Sequence, residues 1–133
     1  DYSVVKQEKI MRSLLLVSLI LFSSLTFAKV EQISQQALLI NQMSETPHHI
    51  IDVRSPEEFA AGHLKGALNI PFNQIDEHQD LLNSLKGKTL VVYCRSGRRA
   101  GIFEKVLSKE GFNLLHLSGD MNAWQAENLP TVQ

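Results

Sequence analysis

The chain has 133 residues, 44% of them apolar, and 13 Lys and Arg against 14 Asp and Glu give a net charge of −1. These figures describe one ordinary globular domain. They exclude a disordered, highly charged chain and a nucleic-acid binder working through a basic face. A single cysteine excludes an internal disulfide framework.

Residues 1–10, Asp1 to Ile10, resemble neither a targeting segment nor a fold element and are read as an upstream or non-native extension. Residues 11–28 differ. Met11-Arg12 leads into the apolar run from Leu14 to Phe22 and then into Ser23-Ser24-Leu25-Thr26-Phe27-Ala28. A short positive start, an apolar stretch too short to span a bilayer comfortably, and small residues at Thr26 and Ala28 form a secretory signal with cleavage after Ala28. The competing readings are an uncleaved membrane anchor and a buried helix of the fold. A lipid anchor is excluded, because that chemistry needs a cysteine at the cleavage site. The expected mature chain, 29–133, is therefore periplasmic or secreted. Its lone thiol is left for chemistry, for an intermolecular partner or for no purpose.

In the mature chain, the apolar spacing from Ile33 to Met43 predicts a helix with Ser34 as a possible cap. Pro47 ends it before a short strand, His49 to Val53. Ser55-Pro56-Glu57-Glu58-Phe59 supplies a serine cap, a proline at the first helical position and acids in the first turn, and so begins a short helix. Gly62 and Gly66 bracket a turn, and Ala67 to Ile70 is a brief strand stopped by Pro71. Phe72 to Leu85 reads as an amphipathic helix with Ile75, Leu81, Leu82 and Leu85 inward, terminated at Gly87. Thr89 to Tyr93 is a strand, Ala100 to Lys109 a helix ending at Gly111, Leu114 to Leu117 a strand, and Met121 to Glu127 a last helix before Pro130.

Strands alternating with helices imply an α/β fold, a parallel central sheet of about five strands with helices on both faces. Active sites in such sheets lie beyond the carboxyl ends of the strands. Asp52 and Cys94 both stand at such ends and are expected to share one crevice.

Cys94 closes the run Leu90-Val91-Val92-Tyr93 and opens Cys94-Arg95-Ser96-Gly97-Arg98-Arg99, just before a helix. A strand delivers the sulfur rigidly and Gly97 lets the backbone curl. The N–H groups of the loop and first helical turn then form a concave anion cradle. Thiols among such amides and arginines ionise more readily than usual, so Cys94 is expected to be largely thiolate. The bland alternative is a buried small hydrophobe, but an inert cysteine gains nothing from three arginines and a glycine. The side chains of Arg95 and Arg98 are the better candidates for recruiting an anion, each loop arginine being otherwise merely solvated. Arg99 is placed either in the pocket or turned inward to brace the loop against Asp52 or another acid, and Ser96 is a candidate donor to the sulfur.

Asp52 and Arg54 are read as a salt-bridged frame for the loop, since an acid beside the nucleophile would oppose its ionisation. His63, between Gly62 and Leu64, reads as a turn histidine with a hydrogen-bonded ring, because an ionised thiol needs no general base. Trp124 and Phe103 read as core. His48-His49, His78 and His116 have no metal-ligand spacing, so neither metal nor cofactor is implied.

Four motifs in register over nearly all of the mature chain make it resemble the single-domain rhodaneses. They are Ile51 to Phe59, Gly62 to Pro71, the Cys94-to-Arg99 loop, and Gly119-Asp120-Met121-Asn122-Ala123-Trp124. Lys65 departs from the family's usual proline on a surface turn. Asp120 stands where a second glycine is common, at a helix start near the pocket, where it could alter the backbone although an acid there also suits the helix dipole. The resemblance implies a rhodanese-like fold and a thiosulfate sulfurtransferase. Cys94 would take the outer sulfur of thiosulfate or another sulfane-sulfur donor as a persulfide and hand it to cyanide, a small thiol or a partner-protein thiol.

Two other classes stay open. Cysteine phosphatases and arsenate reductases of this fold also place an arginine after the cysteine, but in a loop one residue longer, sized for a tetrahedral oxyanion. Rhodanese-like domains also serve as non-catalytic sulfur carriers or binding modules, usually without the cysteine that this chain retains.

Overall fold

The centre of the molecule is a sheet of five parallel strands, β1 (Glu31–Ile33), β2 (His49–Asp52), β3 (Leu68–Asn69), β4 (Thr89–Tyr93) and β5 (Asn113–Leu117), in the order β1-β5-β4-β2-β3. A computed structural model describes residues 1–21 and 29–133. The helices are α1 (Tyr2–Leu21), α2 (Gln35–Gln42), α3 (Pro56–Ala61), α4 (Gln79–Ser84), α5 (Arg98–Lys109) and α6 (Asp120–Ala126), with a 3-10 turn at Asp76–His78.

Both faces of the sheet are covered, so β4 is apolar on both. Leu90 and Val92 face one core with Ile51, Leu82, Leu85, Phe103 and Leu107. Val91 and Tyr93 face the other with Leu38, Leu64, Met121 and Trp124. This alternation along a doubly buried strand is why its sequence is a continuous apolar run. Cys94 belongs to the first core.

Helix starts follow local chemistry. The Ser34 hydroxyl accepts from the Ala37 amide. Ser55 accepts from the Glu58 amide while Glu58 reaches back to the Ser55 amide, a capping box completed by Pro56 in the first turn.

Strand β1 and helix α4 differ from the sequence reading. Glu31–Ile33 is an edge strand paired with β5, and α2 begins after it; three residues carry no strand signal alone, and their pairing is supplied by a distant partner. Residues 72–75 are not helical, because the chain first runs along the sheet edge, where the Phe72 amide donates to the Val53 carbonyl. Leu81 is 38% exposed rather than inward, whereas Ile75, Leu82 and Leu85 are buried; Leu81 sits about 100° round the helix from Leu82, at the solvent side of the buried stripe.

Helix α1 begins at Tyr2 and so includes residues read as forming no element; it is exposed through Leu14. The run 22–28, with the expected cleavage point after Ala28, lies outside the described residues. Among the described residues no helix is long and apolar enough to cross a membrane.

Candidate active site

Strand β4 ends at Tyr93 and helix α5 starts at Arg98, so residues 94–97 turn the chain through a tight loop. Gly97 makes the turn with φ at +114°, in the region that side chains disfavour. The turn brings the Gly97 amide to 3.0 Å from Cys94 Sγ, where it donates a hydrogen bond to the sulfur. The twelve-residue α5 adds the positive end of its dipole. Of the expected cradle of amides, Gly97 is the one that holds the sulfur itself. Cys94 is only 1% exposed, so a reactant reaches the sulfur with a small terminal group.

The loop side chains divide. Arg95 and Arg98 are exposed and have no ion-pair partner among the described residues. Arg99 turns away to Glu58, its Nη1 and Nη2 donating to Oε1 and Oε2 at 2.6 and 3.0 Å. Of the two placements read from the sequence, then, Arg99 takes the brace, and its acid is Glu58 rather than Asp52. That guanidinium holds the Glu58 carboxyl down at about 2. Ser96 is exposed and makes no hydrogen bond to the sulfur among the described residues, which corrects its reading as a donor. A crevice of about 350 Å³ between α3 and residues 71–74 is lined by Pro56, Phe72, Asn73 and Arg99.

Asp52 and Arg54 form a buried bridge with each other, Nη2 to Oδ2 at 2.7 Å. Arg54 also donates to the Gly62 carbonyl. The Tyr93 hydroxyl donates to Asp52 Oδ2 at 2.7 Å and accepts from the Leu64 amide. Burial and the Asp52 charge push the Tyr93 hydroxyl far above its ordinary range. The pair thus fastens the ends of β2 and β4 to the segment 62–64, and among the described residues no hydrogen bond or ion pair joins it to residues 95–99. His63 points its Nδ1 at the Phe59 carbonyl and stacks on the Phe59 ring at 3.6 Å. Trp124 and Phe103 are buried in the two cores.

The residues whose hydrogen bonds hold Cys94 and Arg95 come from α6. Asp120 Oδ1 accepts from the Cys94 amide at 2.8 Å, the Met121 amide donates to the Cys94 carbonyl, and the Asn122 amide donates to the Arg95 carbonyl. Asp120 Oδ2 meets His116 Nε2 at 3.0 Å, and His116 Nδ1 meets Glu104 Oε2 at 2.6 Å. Bonds to Asp120 and then Glu104 outweigh the burial of His116 and raise it to about 10. Asp120 adopts φ +55° at the head of α6, so the acid in place of glycine keeps the left-handed backbone and adds a buried carboxylate behind the cysteine. The sequence reading weighed His116 only as a metal ligand and passed over Glu104; the only local sign of the cluster is His116 four residues before Asp120.

The sequence profile of the rhodanese-like domain family matches residues 35–127. The putative sulfurtransferase YtwF of Bacillus subtilis is 34% identical over 102 residues, which is 77% of this chain and 97% of that protein. The thiosulfate sulfurtransferase PspE of Escherichia coli is 36% identical over 73 residues, 55% of this chain and 70% of that protein. The crystal structure of a rhodanese-related protein from Thermoplasma volcanium superposes with a TM-score of 0.67 at 27% identity, covering 77% of this chain and 97% of that one.

Proposed function

Because the chain belongs to the rhodanese-like domain family, we propose that it is a sulfurtransferase that carries a sulfane sulfur on Cys94 from thiosulfate, or a similar donor, to cyanide or a thiol. The Cys94 thiolate attacks the outer sulfur of thiosulfate. The new S–S bond forms as the donor's S–S bond breaks, sulfite leaves with the electron pair, and Cys94 becomes a persulfide. Cyanide or a thiolate then attacks the outer persulfide sulfur, the bond to Sγ breaks, and the thiolate returns. No outside oxidant or reductant is needed, and a good nucleophile serves as a good leaving group.

The observation that carries this reading is the Gly97 amide 3.0 Å from Sγ in a short loop at the head of α5. A preorganised donor on the sulfur stabilises the charge that returns to it in the second step. Exposed Arg95 and Arg98 supply attraction for a dianion. Thiosulfate is the donor suggested by the name of the Escherichia coli relative. Two features favour sulfur over phosphate. The loop buries the cysteine at 1% exposure, and the arginine at its end is engaged in both directions by Glu58 rather than aimed at an oxyanion.

Intact mass spectrometry of the purified protein tests the proposal. Thiosulfate should add one sulfur, cyanide should remove it, and Cys94→Ser should never acquire it. Absence of the adduct in the wild type rejects the reading. Residues 11–28 support export with cleavage after Ala28; a mature form beginning at Lys29 in the periplasmic fraction is the expected product, and an uncleaved chain in the cytoplasm would contradict it.

A further inference from the structure

Behind the cysteine lies a buried chain of charged groups that the sulfur chemistry does not itself call for. Asp120 is 2% exposed and Glu104 6%. Their carboxylates hold the two nitrogens of His116 at 3.0 and 2.6 Å. A neutral imidazole has one N–H and could satisfy only one of two carboxylates, so this geometry calls for the imidazolium. The other oxygen of Asp120 holds the Cys94 amide at 2.8 Å. A Cβ placed on Gly97 would lie 3.2 Å from Asp120 Oδ2 and 3.9 Å from His116 Nε2. The cluster therefore sits directly beneath the residue whose amide touches the sulfur.

This is a conflict of charge. A carboxylate is a strong acceptor with which to pin a loop amide, but beneath an anion-binding loop it opposes the thiolate, the persulfide and an incoming dianion. The loop's cations lie on the solvent side, and Arg99 is already engaged by Glu58. Asp52, on the far side, is taken up by Arg54 and Tyr93. Lys29, Lys105 and Lys109 line a groove of about 780 Å³ that opens on Glu104 and His116, whereas the contact to Asp120 is made by His116.

We infer that His116, clamped by Glu104, is a positioning residue that neutralises Asp120, so that the carboxylate gripping Cys94 does not repel the anionic donor. The inference rests on Cys94 being the reactive thiolate of the proposed function and adds the device that keeps its surroundings receptive to anions.

The test uses two alkylating agents of similar size and different charge, anionic iodoacetate and neutral iodoacetamide, on the full chain at pH 7 and low ionic strength. The ratio of the two rates for Cys94 reads the local potential. His116→Gln should lower the iodoacetate-to-iodoacetamide ratio about three- to tenfold, the effect of one unmasked charge partly screened by water. Adding Asp120→Asn, which keeps an oxygen for the Cys94 amide but removes the charge, should bring the ratio back to within about twofold. Glu104→Gln, which makes the cluster neutral, should raise it. A loosened loop would change both rates together and leave the ratio unmoved. An unmoved ratio in His116→Gln, or no recovery with Asp120→Asn, overturns the inference. If His116→Gln does not fold, the absence of a rise in Glu104→Gln overturns it instead. Alkylation requires no sulfur transfer, so failure of the persulfide assay leaves this readout valid, and an unmoved ratio leaves the proposed reaction standing.

Discussion

Arg95, Arg98 and Arg99 follow one cysteine within five positions, yet they divide between solvent and interior. The first two are exposed and the third is tied to Glu58. Neutralising Arg95 and Arg98 together should slow alkylation of Cys94 at pH 6 and weaken thiosulfate use by about threefold to tenfold, as expected for two screened surface charges; unchanged kinetics would assign the anion attraction to the Gly97 amide and α5 alone. Glu58 answers to a different assay. Its carboxyl is held at about 2, below the ordinary 4.5, so its contribution to stability is complete above 4.5 and is lost as pH falls through about 2. Glu58→Gln should therefore lower the unfolding free energy measured in urea at pH 6 by about 0.5–1 kcal/mol, a value reduced for a partly exposed pair, and the difference should vanish toward pH 2. Cys94 and its loop were legible because strand, glycine and arginines are contiguous. Asp120 and His116 were not read as its support, since 26 residues separate Cys94 from Asp120 and only the β4–β5 pairing brings them together.

At the scale of elements, the turn from β5 into α6 is the most constrained segment of the site. Gly119 and Asp120 are successive left-handed residues, at φ +72° and +55°. A Cβ on Gly119 would fall 2.3 Å from the Ala123 Cβ, closer than carbon atoms can sit. Gly119→Ala should cost about 2 kcal/mol or more by combining backbone strain with overpacking. It should also slow sulfur transfer, because α6 carries Asp120, Met121 and Asn122 to the cysteine loop. Chemical denaturation and the persulfide assay measure the two effects, and a variant of wild-type stability would show that α6 can shift without consequence. The caps at Ser34 and Ser55 and the strand before Cys94 were legible because a few adjacent residues decide them. The edge strand β1 and the late start of α4 were not, since sheet pairing and the Val53–Phe72 hydrogen bond decide those from a distance.

For the whole molecule, the parallel sheet sets two cores on its two faces and puts the ionisable groups where the strands end. That division explains why the pattern of apolar runs disclosed the architecture and why, of the polar groups, only the neighbouring Asp52 and Arg54 were read as a pair, whereas the Tyr93 contact to Asp52 and the cluster Glu104–His116–Asp120 depend on contacts between separate elements. The second frame makes global stability depend on pH with a definite sign. His116 is raised from an ordinary 6.5 to about 10 in the folded protein. The folded state thus binds a proton that the unfolded chain releases between those values, and its contribution is complete below about 6.5 and falls away as pH approaches 10. His116→Gln removes the proton site but keeps the two carboxylates. The variant should be less stable than the wild type at pH 6 by about 3–5 kcal/mol, the cost of breaking a buried charge pair. The two stability curves, read as urea midpoints from pH 6 to 10, should converge as the wild type loses the same proton. Other groups titrate alike in both proteins and cancel in the difference, so a gap that stays constant across that range would mean that His116 contributes shape and packing rather than charge.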